Sequence, residues 1–443
     1  MQKLLQVFDK GFKYLIASIL VIVPLYPKFP FIRIPGTYVS IRFEDFLMAF
    51  LFLVVLLKVS TRLKEFVNEK FVKIIIIFLA AGLVSVVSAI FLTHTAGLTI
   101  GFLHLFRRLE YLVPFLALLA FYPQEKGKNI EFYIKTLMAT VFVTFLYGLG
   151  QKYLYLPVII TQNEEYAKGV ALRWTAGSHI NSTFAGHYDL ATFLVLLLPI
   201  FISLFFIYKD KLSKFSLFVV ITAGLWLLAN SASRISVVSY LIGASFSLLL
   251  LKKYKEIFLV FLSGIILLGF SSNLYARYQR IIDVLIGVKA AEEIKVTPIP
   301  TPTSGPEVFE DRSTSIRLNV EWPRALRAVL KNPLLGTGYS SIGLAADNDY
   351  LRSLAETGII GFFAFGLIFI QFFLIARNSL PLISNFSGTD LGFMAGAYGG
   401  IVGILLNAVF IDVFEASKFA IIFWLIFGLV VGLLKDRLYV QKN

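Results

Sequence analysis

Long apolar runs alternate with short polar breaks along this chain, and many runs are long enough to cross the roughly 30 Å hydrocarbon core of a bilayer as helices. They number about twelve, at about 12 to 29, 43 to 59, 73 to 93, 108 to 123, 132 to 151, 188 to 207, 215 to 231, 234 to 251, 255 to 272, 356 to 376, 390 to 411 and 418 to 434. The fourth has an alternative start near Leu98, which would carry Arg107 and Arg108 inside it. Small residues bear on packing: Gly392, Gly396 and Gly400 recur at four-residue spacing, with Gly399 and Gly403 on an adjacent line. Such a pattern lets helix backbones approach closely, within one bundle or between two copies of the chain. No tandem repeat is visible.

Composition supports the pattern. Of 443 residues, 58% are hydrophobic and 15% charged, as in an integral membrane protein. The absence of cysteine excludes disulfides, thiolate metal sites and a cysteine nucleophile. A net charge of +14 would suggest nucleic acid in a soluble protein, but here lysines and arginines sit in short loops, so membrane lipid headgroups and phosphates are the expected partners, and no nucleic acid. Basic loops around Lys10, Lys64, Lys126, Lys211, Lys253 and Lys435 fall on one face if the count of spans is even. This predicts a multi-pass protein of the cytoplasmic (inner) membrane with both termini cytoplasmic and the first span uncleaved. The chain then divides into residues 1–272, with nine spans and an extracytoplasmic loop at about 152–187; a large extracytoplasmic loop, 273–355; and residues 356–443, with three spans and a cytoplasmic tail.

Polar chemistry concentrates between about Arg312 and Gly361. A Pro and Thr run from Pro298 to Pro306 reads as an extended spacer. Beyond it Leu318, Trp322, Ala325, Leu326, Val329 and Leu330 recur at helical spacing, with Arg317, Arg324, Arg327 and Lys331 off that stripe. This predicts an amphipathic helix on the membrane surface, broken or kinked at Pro323, with Trp322 at headgroup level. Asn332-Pro333 followed by Gly336-Thr-Gly338 marks a sharp turn where backbone can approach a ligand. In Asp347-Asn348-Asp349 one acid is expected to cap the tenth span while the other faces the aqueous mouth; the rival reading is a divalent-metal pair. A helix N-terminus would lower the pKa of Asp347. Arg234, in Ser-Ala-Ser-Arg-Ile-Ser between the seventh and eighth spans, is either an interfacial arginine snorkelling to headgroups or one pinned in a tight turn for function.

The order Arg317-Leu, Trp322, Ala-Leu, Asn332-Pro-Leu-Leu-Gly336-Thr-Gly338, Asp347-Asn348, Tyr350-Leu351 and Glu356-Thr-Gly358-Ile-Ile-Gly361 resembles the O-antigen ligase and polysaccharide polymerase family. Ser182-Thr-Phe184 with His187, and Ser233-Arg234, are similar to its earlier motifs. The resemblance implies an all-α, polytopic, GT-C-like glycosyltransferase with short amphipathic helices in its outer loop. Its donor would be a polyprenyl-diphosphate-linked glycan and its acceptor a hydroxyl on glycan, lipid or protein, with no cofactor or required metal. Arg234 and Arg317 correspond to family arginines that hold the donor diphosphate, which with Asp347 makes the expected catalytic set. Arg324, His187, Gly336, Gly338, Asn348 and Tyr350 are the expected substrate contacts. Ligases acting on lipid A core tend to have His where this chain has Asp347, so the Asp-Asn form is more similar to polymerases and other glycan transferases.

The chemistry of the residues agrees with that scheme. Guanidinium offers diphosphate a planar fork that never deprotonates. The acceptor hydroxyl must lose a proton, for which Asp347, Asp349, Glu356 and His187 are candidates. A lipid-linked oligosaccharide flippase or polysaccharide transporter is the alternative. Against it stand the scarcity of ionisable residues deep in the spans and the absence of repeats.

Overall fold

The computed structural model of the protein describes residues 2–125, 129–158, 179–270, 316–342 and 346–442. The Pro and Thr run and most of the 152–187 loop lie outside the described residues. The described chain is almost wholly helical. It begins with α1 (Gln2–Leu25), a two-residue antiparallel ribbon pairing Ile32 with Ile41, α2 (Phe43–Val59), α3 (Leu63–Asn68), α4 (Lys70–Phe91), α5 (Leu98–Glu125) and α6 (Ile130–Tyr153). After the second gap come α7 (His187–Ile207), α8 (Lys211–Asn230), α9 (Arg234–Leu250) and α10 (Ile257–Phe270). A π-helical turn (Arg317–Glu321) then leads into α11 (Trp322–Lys331), α12 (Asp349–Arg377), α13 (Leu382–Asn385), α14 (Gly388–Asn407), a 3-10 turn (Val413–Glu415) and α15 (Ser417–Lys442).

Among the described residues, seven helices are long and apolar enough to cross a membrane: α4, α6, α7, α8, α12, α14 and α15. The protein is thus an all-α membrane protein. Helices α9 and α10 are shorter but apolar, and α5 begins at Leu98, so it carries Arg107 and Arg108 within it.

Helix α7 is buried along most of its length and α15 along its spanning part, so both read as hydrophobic on every face. The glycine lines of α14 explain how it fits beside α7. A Cβ on Gly400 would lie 2.5 Å from the Leu196 carbonyl oxygen, and one on Gly396 would overlap the Ile200 backbone. The adjacent line faces α9, where a Cβ on Gly403 would lie 2.8 Å from the Ser239 carbonyl oxygen and one on Gly243 would lie 2.6 Å from that of Gly399. Both lines are therefore used inside the bundle, α14 being pressed backbone to backbone between α7 and α9.

Several helix ends gather at one end of the bundle. Asn407, the last residue of α14, donates to Thr192 on α7 at 2.9 Å and accepts from Ser236 on α9 at 3.2 Å. The Asp349 amide at the start of α12 donates to the Ala408 carbonyl at 2.9 Å. Lys418 at the start of α15 donates to the carbonyls of Pro24 and Thr183. The N-termini of α7, α9, α12 and α15 thus share one rim.

Candidate functional site

The two glycine motifs near this rim interlock. Helix α12 is broken at Gly358, which has φ 64°, and Gly336, with φ 73°, lies against it. A Cβ on Gly336 would lie 2.5 Å from the Gly358 nitrogen, so the two glycines pack back to back. Across the contact, Thr337 and Gly338 donate to the carbonyls of Ala355 and Glu356 at 3.0 and 2.8 Å, and Ile359 donates to that of Pro333 at 2.8 Å. The break frees these groups from the helical ladder and the 333–338 segment satisfies them. Gly338 itself packs on Ala89 of α4. Gly336 and Gly338 thus stand where the sequence places a sharp turn, and their close approach is to backbone and helix.

Beside this crossing lies a chain of buried charges. Arg352, in the first turns of α12, donates to Asp412 at 2.8 Å and to Glu356 at 3.3 Å. Glu356 also faces Arg108 of α5 at 3.9 Å, and Arg108 pairs with Glu415 and lies 5.2 Å from the Tyr339 ring centre. Burial alone would raise the Glu415 carboxyl, but the charges of Arg108 and Arg352 outweigh it and hold it at about 2. The Asp412 carboxylate also accepts the backbone amides of Ala346, Asp347 and Asn348 at 2.8, 3.0 and 3.0 Å. Three consecutive amides converging on one carboxylate fix the 346–348 backbone, and Asp347 takes φ 47° within it.

That cradle presents Asp347 to Arg317. The Arg317 guanidinium donates to Asp347 at 2.8 Å and stands 6.0 Å from the Tyr188 ring centre on α7, with 8% of the residue exposed. Arg317 opens the π-helical turn, whose wider ring closes with the Trp322 amide donating to the Arg317 carbonyl. Pro323, next in sequence, has no N–H to offer the carbonyl four residues back, which accounts for the widened turn at this point. The expected break at Pro323 is thus a register change, with proline in the first turn of α11. The Trp322 indole nitrogen is buried and its ring centre lies 6.2 Å from that of Phe410. The predicted apolar stripe is split, Ala325 and Val329 packing with Ala355 and Ile342 while Leu318, Leu326 and Leu330 are exposed.

The acids of the 347–349 triplet have separate tasks. Neither caps α12, because Asn348 does, its side chain accepting from the Leu351 amide at 2.9 Å. Asp349 turns back to accept from the amides of Val413 and Phe414 at 2.7 and 3.2 Å. The expected lowering of the Asp347 pKa is reversed. Burial pushes it up to about 6, and Asp412 adds to this against the pull of Arg317. Arg317 is raised in turn: burial opposes its charge, but Asp347 and then Tyr188 more than restore it. Asp347 and Asp349 therefore serve different partners, and among the described residues no group of three or more His, Asp or Glu converges as a metal site.

The remaining predicted residues lie around this pair. Arg234 opens α9 after a tight turn in which Ala232 has φ 55°. Ser233 and Ser236 share a 2.7 Å hydrogen bond, and through Asn407 this turn is joined to Thr192, one helical turn from Tyr188. His187 lies against His179 and Tyr188, both ring centres at 4.0 Å and both rings tilted to it. Arg324 is half-buried on α11 and bears electrostatically on Glu321. The Tyr350 hydroxyl donates to the Leu405 carbonyl at 2.7 Å, so it ties α12 to α14. Arg108, Arg352, Asp412, Glu415 and Glu321 are additions that the sequence reading did not single out. Arg108 and Glu415 lie 307 positions apart and Arg352 and Asp412 60, so no local spacing signals those pairs; Glu321 and Arg317, four residues apart, and Arg352 and Glu356, at i and i+4, are within reach of one.

Comparison with known families matches residues 217–366 to the family described as O-antigen ligase. The matched segment runs from α8 to the first part of α12 and contains Arg234, Arg317, Asp347 and both interlocked glycines. The match covers the motifs from Ser233 to Gly361, while Arg108, Ser182, His187, Tyr188, Asp412 and Glu415 lie outside it. No curated protein matches the chain.

Proposed function

We propose that this protein is a membrane glycosyltransferase that transfers or polymerises glycan from a polyprenyl-diphosphate-linked donor onto a hydroxyl acceptor at the outer face of the cytoplasmic membrane. The observation that carries this reading is the Arg317 to Asp347 pair, 2.8 Å apart, both residues lying inside the segment matched to the O-antigen ligase family, with the Asp347 amide held by Asp412 from beyond that segment. Around it, residues 273–355 form the outer catalytic loop, about twelve spans carry it, and both termini are cytoplasmic.

Transfer breaks the bond between the anomeric carbon and the diphosphate, and negative charge grows on the leaving group. Arg317 remains charged through the cycle and offers a fork already fixed by Asp347 and Tyr188, so stabilising that charge costs little reorganisation. Arg234 stands on the same rim and supplies a second guanidinium. Asp347 holds Arg317 in place at the reacting centre. Because Asp347 and Asp349 are committed to different partners, the arginines rather than a divalent ion neutralise the donor.

The test is incubation of the purified protein with a lipid-linked oligosaccharide and a panel of acceptors. A transferase lengthens or relocates the glycan, whereas a flippase only moves it. Arg317→Lys keeps the charge but loses the fork, and turnover should fall by about 10²-fold or more with normal expression. Chelator should leave the rate unchanged. Wild-type turnover in Arg317→Lys would remove the phosphate role.

A further inference from the structure

The π-helical turn carries a second carboxyl. Glu321 lies four residues after Arg317 in a turn that closes five apart, so the two side chains leave the same side of the helix. Glu321 Oε2 is buried and makes no hydrogen bond among the described residues, and the same is true of the Trp322 indole nitrogen next to it. A buried acceptor and a buried donor left open on consecutive residues are unusual, since such groups cost about 1–3 kcal/mol each when unsatisfied. Each suits a hydroxyl-bearing substrate, since a hydroxyl donates to a carboxylate and accepts from an indole N–H.

Resting on the transfer reaction proposed above, we propose that Glu321 is the base that takes the proton from the acceptor hydroxyl, with Trp322 fixing that hydroxyl through its indole N–H. Asp347 is the less suited of the two carboxyls, because its Oδ2 is already held by Arg317. Glu321 has no ion pair among the described residues, so its oxygen is open to a substrate. The groups that act on it are Asp347 and Asp412, which repel its charge, and Arg317 and Arg324, which favour it. Burial comes first among these influences, and with the two acids it pushes Glu321 up to about 7, close to the range in which a general base is most effective.

In the step itself the acceptor O–H bond breaks and its proton passes to the Glu321 carboxylate. The acceptor oxygen bonds to the anomeric carbon as the bond from that carbon to the diphosphate oxygen breaks. The electron pair leaves on the polyprenyl diphosphate, which faces Arg317. No electrons are gained or lost overall, and Glu321 later returns its proton to water.

The experiment compares wild type, Glu321→Gln, Glu321→Ala and Arg317→Lys in the lipid-linked oligosaccharide assay. Glu321→Gln should lose about 10²- to 10⁴-fold in kcat while binding donor normally, and formate should restore part of the Glu321→Ala rate, which a purely structural role would not permit. The wild-type kcat/KM should rise with pH through an apparent pKa of about 7, and the residual Glu321→Gln rate should lack that rise. If a variant does not fold, isotope-edited infrared titration of the wild-type glutamates keeps the test open: a buried carboxyl band titrating at about 7 is expected, and its absence overturns the proposal. An inactive Arg317→Lys beside a fully active Glu321→Gln with an unchanged pH profile would overturn the base and leave the transferase reading standing. A wild-type protein that transfers no glycan overturns both.

Discussion

Replacing Asp412 with alanine separates the scaffold of the site from its chemistry. Its side chain is fully buried and accepts from Arg352 at 2.8 Å and from the three amides of residues 346–348. Alanine leaves Arg352 with Glu356 at 3.3 Å, a carboxylate that Arg108 also faces. Removing one partner of a buried ion pair costs about 3–5 kcal/mol. Three stranded amides would add about 1–3 kcal/mol each if the cradle stayed dry, so entry of water sets the actual loss nearer the lower figure of about 3 kcal/mol. Thermal unfolding in one detergent at a fixed scan rate reads this directly. Combining Asp412→Ala with Arg352→Met should cost less than the sum of the two single changes by about 0.5–3 kcal/mol, because the unpaired charge is gone as well. Turnover should fall in Asp412→Ala although Asp412 touches no substrate, since Asp347 loses the three-amide anchor that sets its φ of 47°. An Asp412→Ala protein that unfolds and turns over like wild type would refute the cradle as the element that positions Asp347.

Two further outcomes follow from packing and charge. Gly399→Ala should destabilise the bundle by about 1–3 kcal/mol or more, because the new methyl overlaps the Gly243 carbonyl of α9; wild-type thermal stability would show that α14 is not pressed against α9 as described. Asp347 and Glu321, raised to about 6 and about 7, hold protons to higher pH in the folded protein than in the unfolded chain. Folding therefore binds protons, and their share of stability is lost as pH rises from about 4 through about 7. Glu415, held at about 2, contributes with the opposite sign: its share is present above about 4.5 and fades as pH falls toward 2. Apparent Tm against pH should flatten above about pH 6 in Glu321→Gln, where only Glu321 of the two still titrates in the wild type, and parallel curves for variant and wild type would contradict the assignment.

What was legible in the sequence is what depends on local composition. Each of the twelve apolar runs falls on a helix, because apolar periodicity and length act within one segment. The start of α5 was harder to place. Arg107 and Arg108 look like a boundary to any count of apolar residues, yet the helix continues because each arginine meets carboxylates brought from elsewhere: Asp45 for Arg107, beside Glu110 of its own helix, and Glu356 and Glu415 for Arg108. The same blindness to distant partners hid Asp412, one acid in the connection after α14 whose three amide donors lie 64 to 66 positions upstream. It also made the interior seem poorer in buried ionisable groups than it is. Motif order was a better guide than hydropathy there, since the 332–338 and 356–361 stretches, read as one set, are in physical contact.

The Arg317 to Asp347 pair raises a question that the sequence could not pose: an arginine meant for diphosphate is already neutralised by a carboxylate. Two like charges beside one cation compete, so Asp347 must oppose the donor electrostatically even as it orients the guanidinium. Asp347→Asn separates these effects. The amide keeps the size and an oxygen for Arg317 but removes the negative charge, so donor affinity should rise, and one relieved charge-assisted contact of about 1.5 kcal/mol corresponds to roughly tenfold. Turnover should fall at the same time, because a neutral partner holds the guanidinium less firmly. Equilibrium binding of a non-transferable lipid diphosphate measures the first effect, and single-turnover rates at saturating donor measure the second. Weaker donor binding in Asp347→Asn would show that the carboxylate's positioning of Arg317 outweighs its repulsion, and unchanged values of both would place the diphosphate away from this pair.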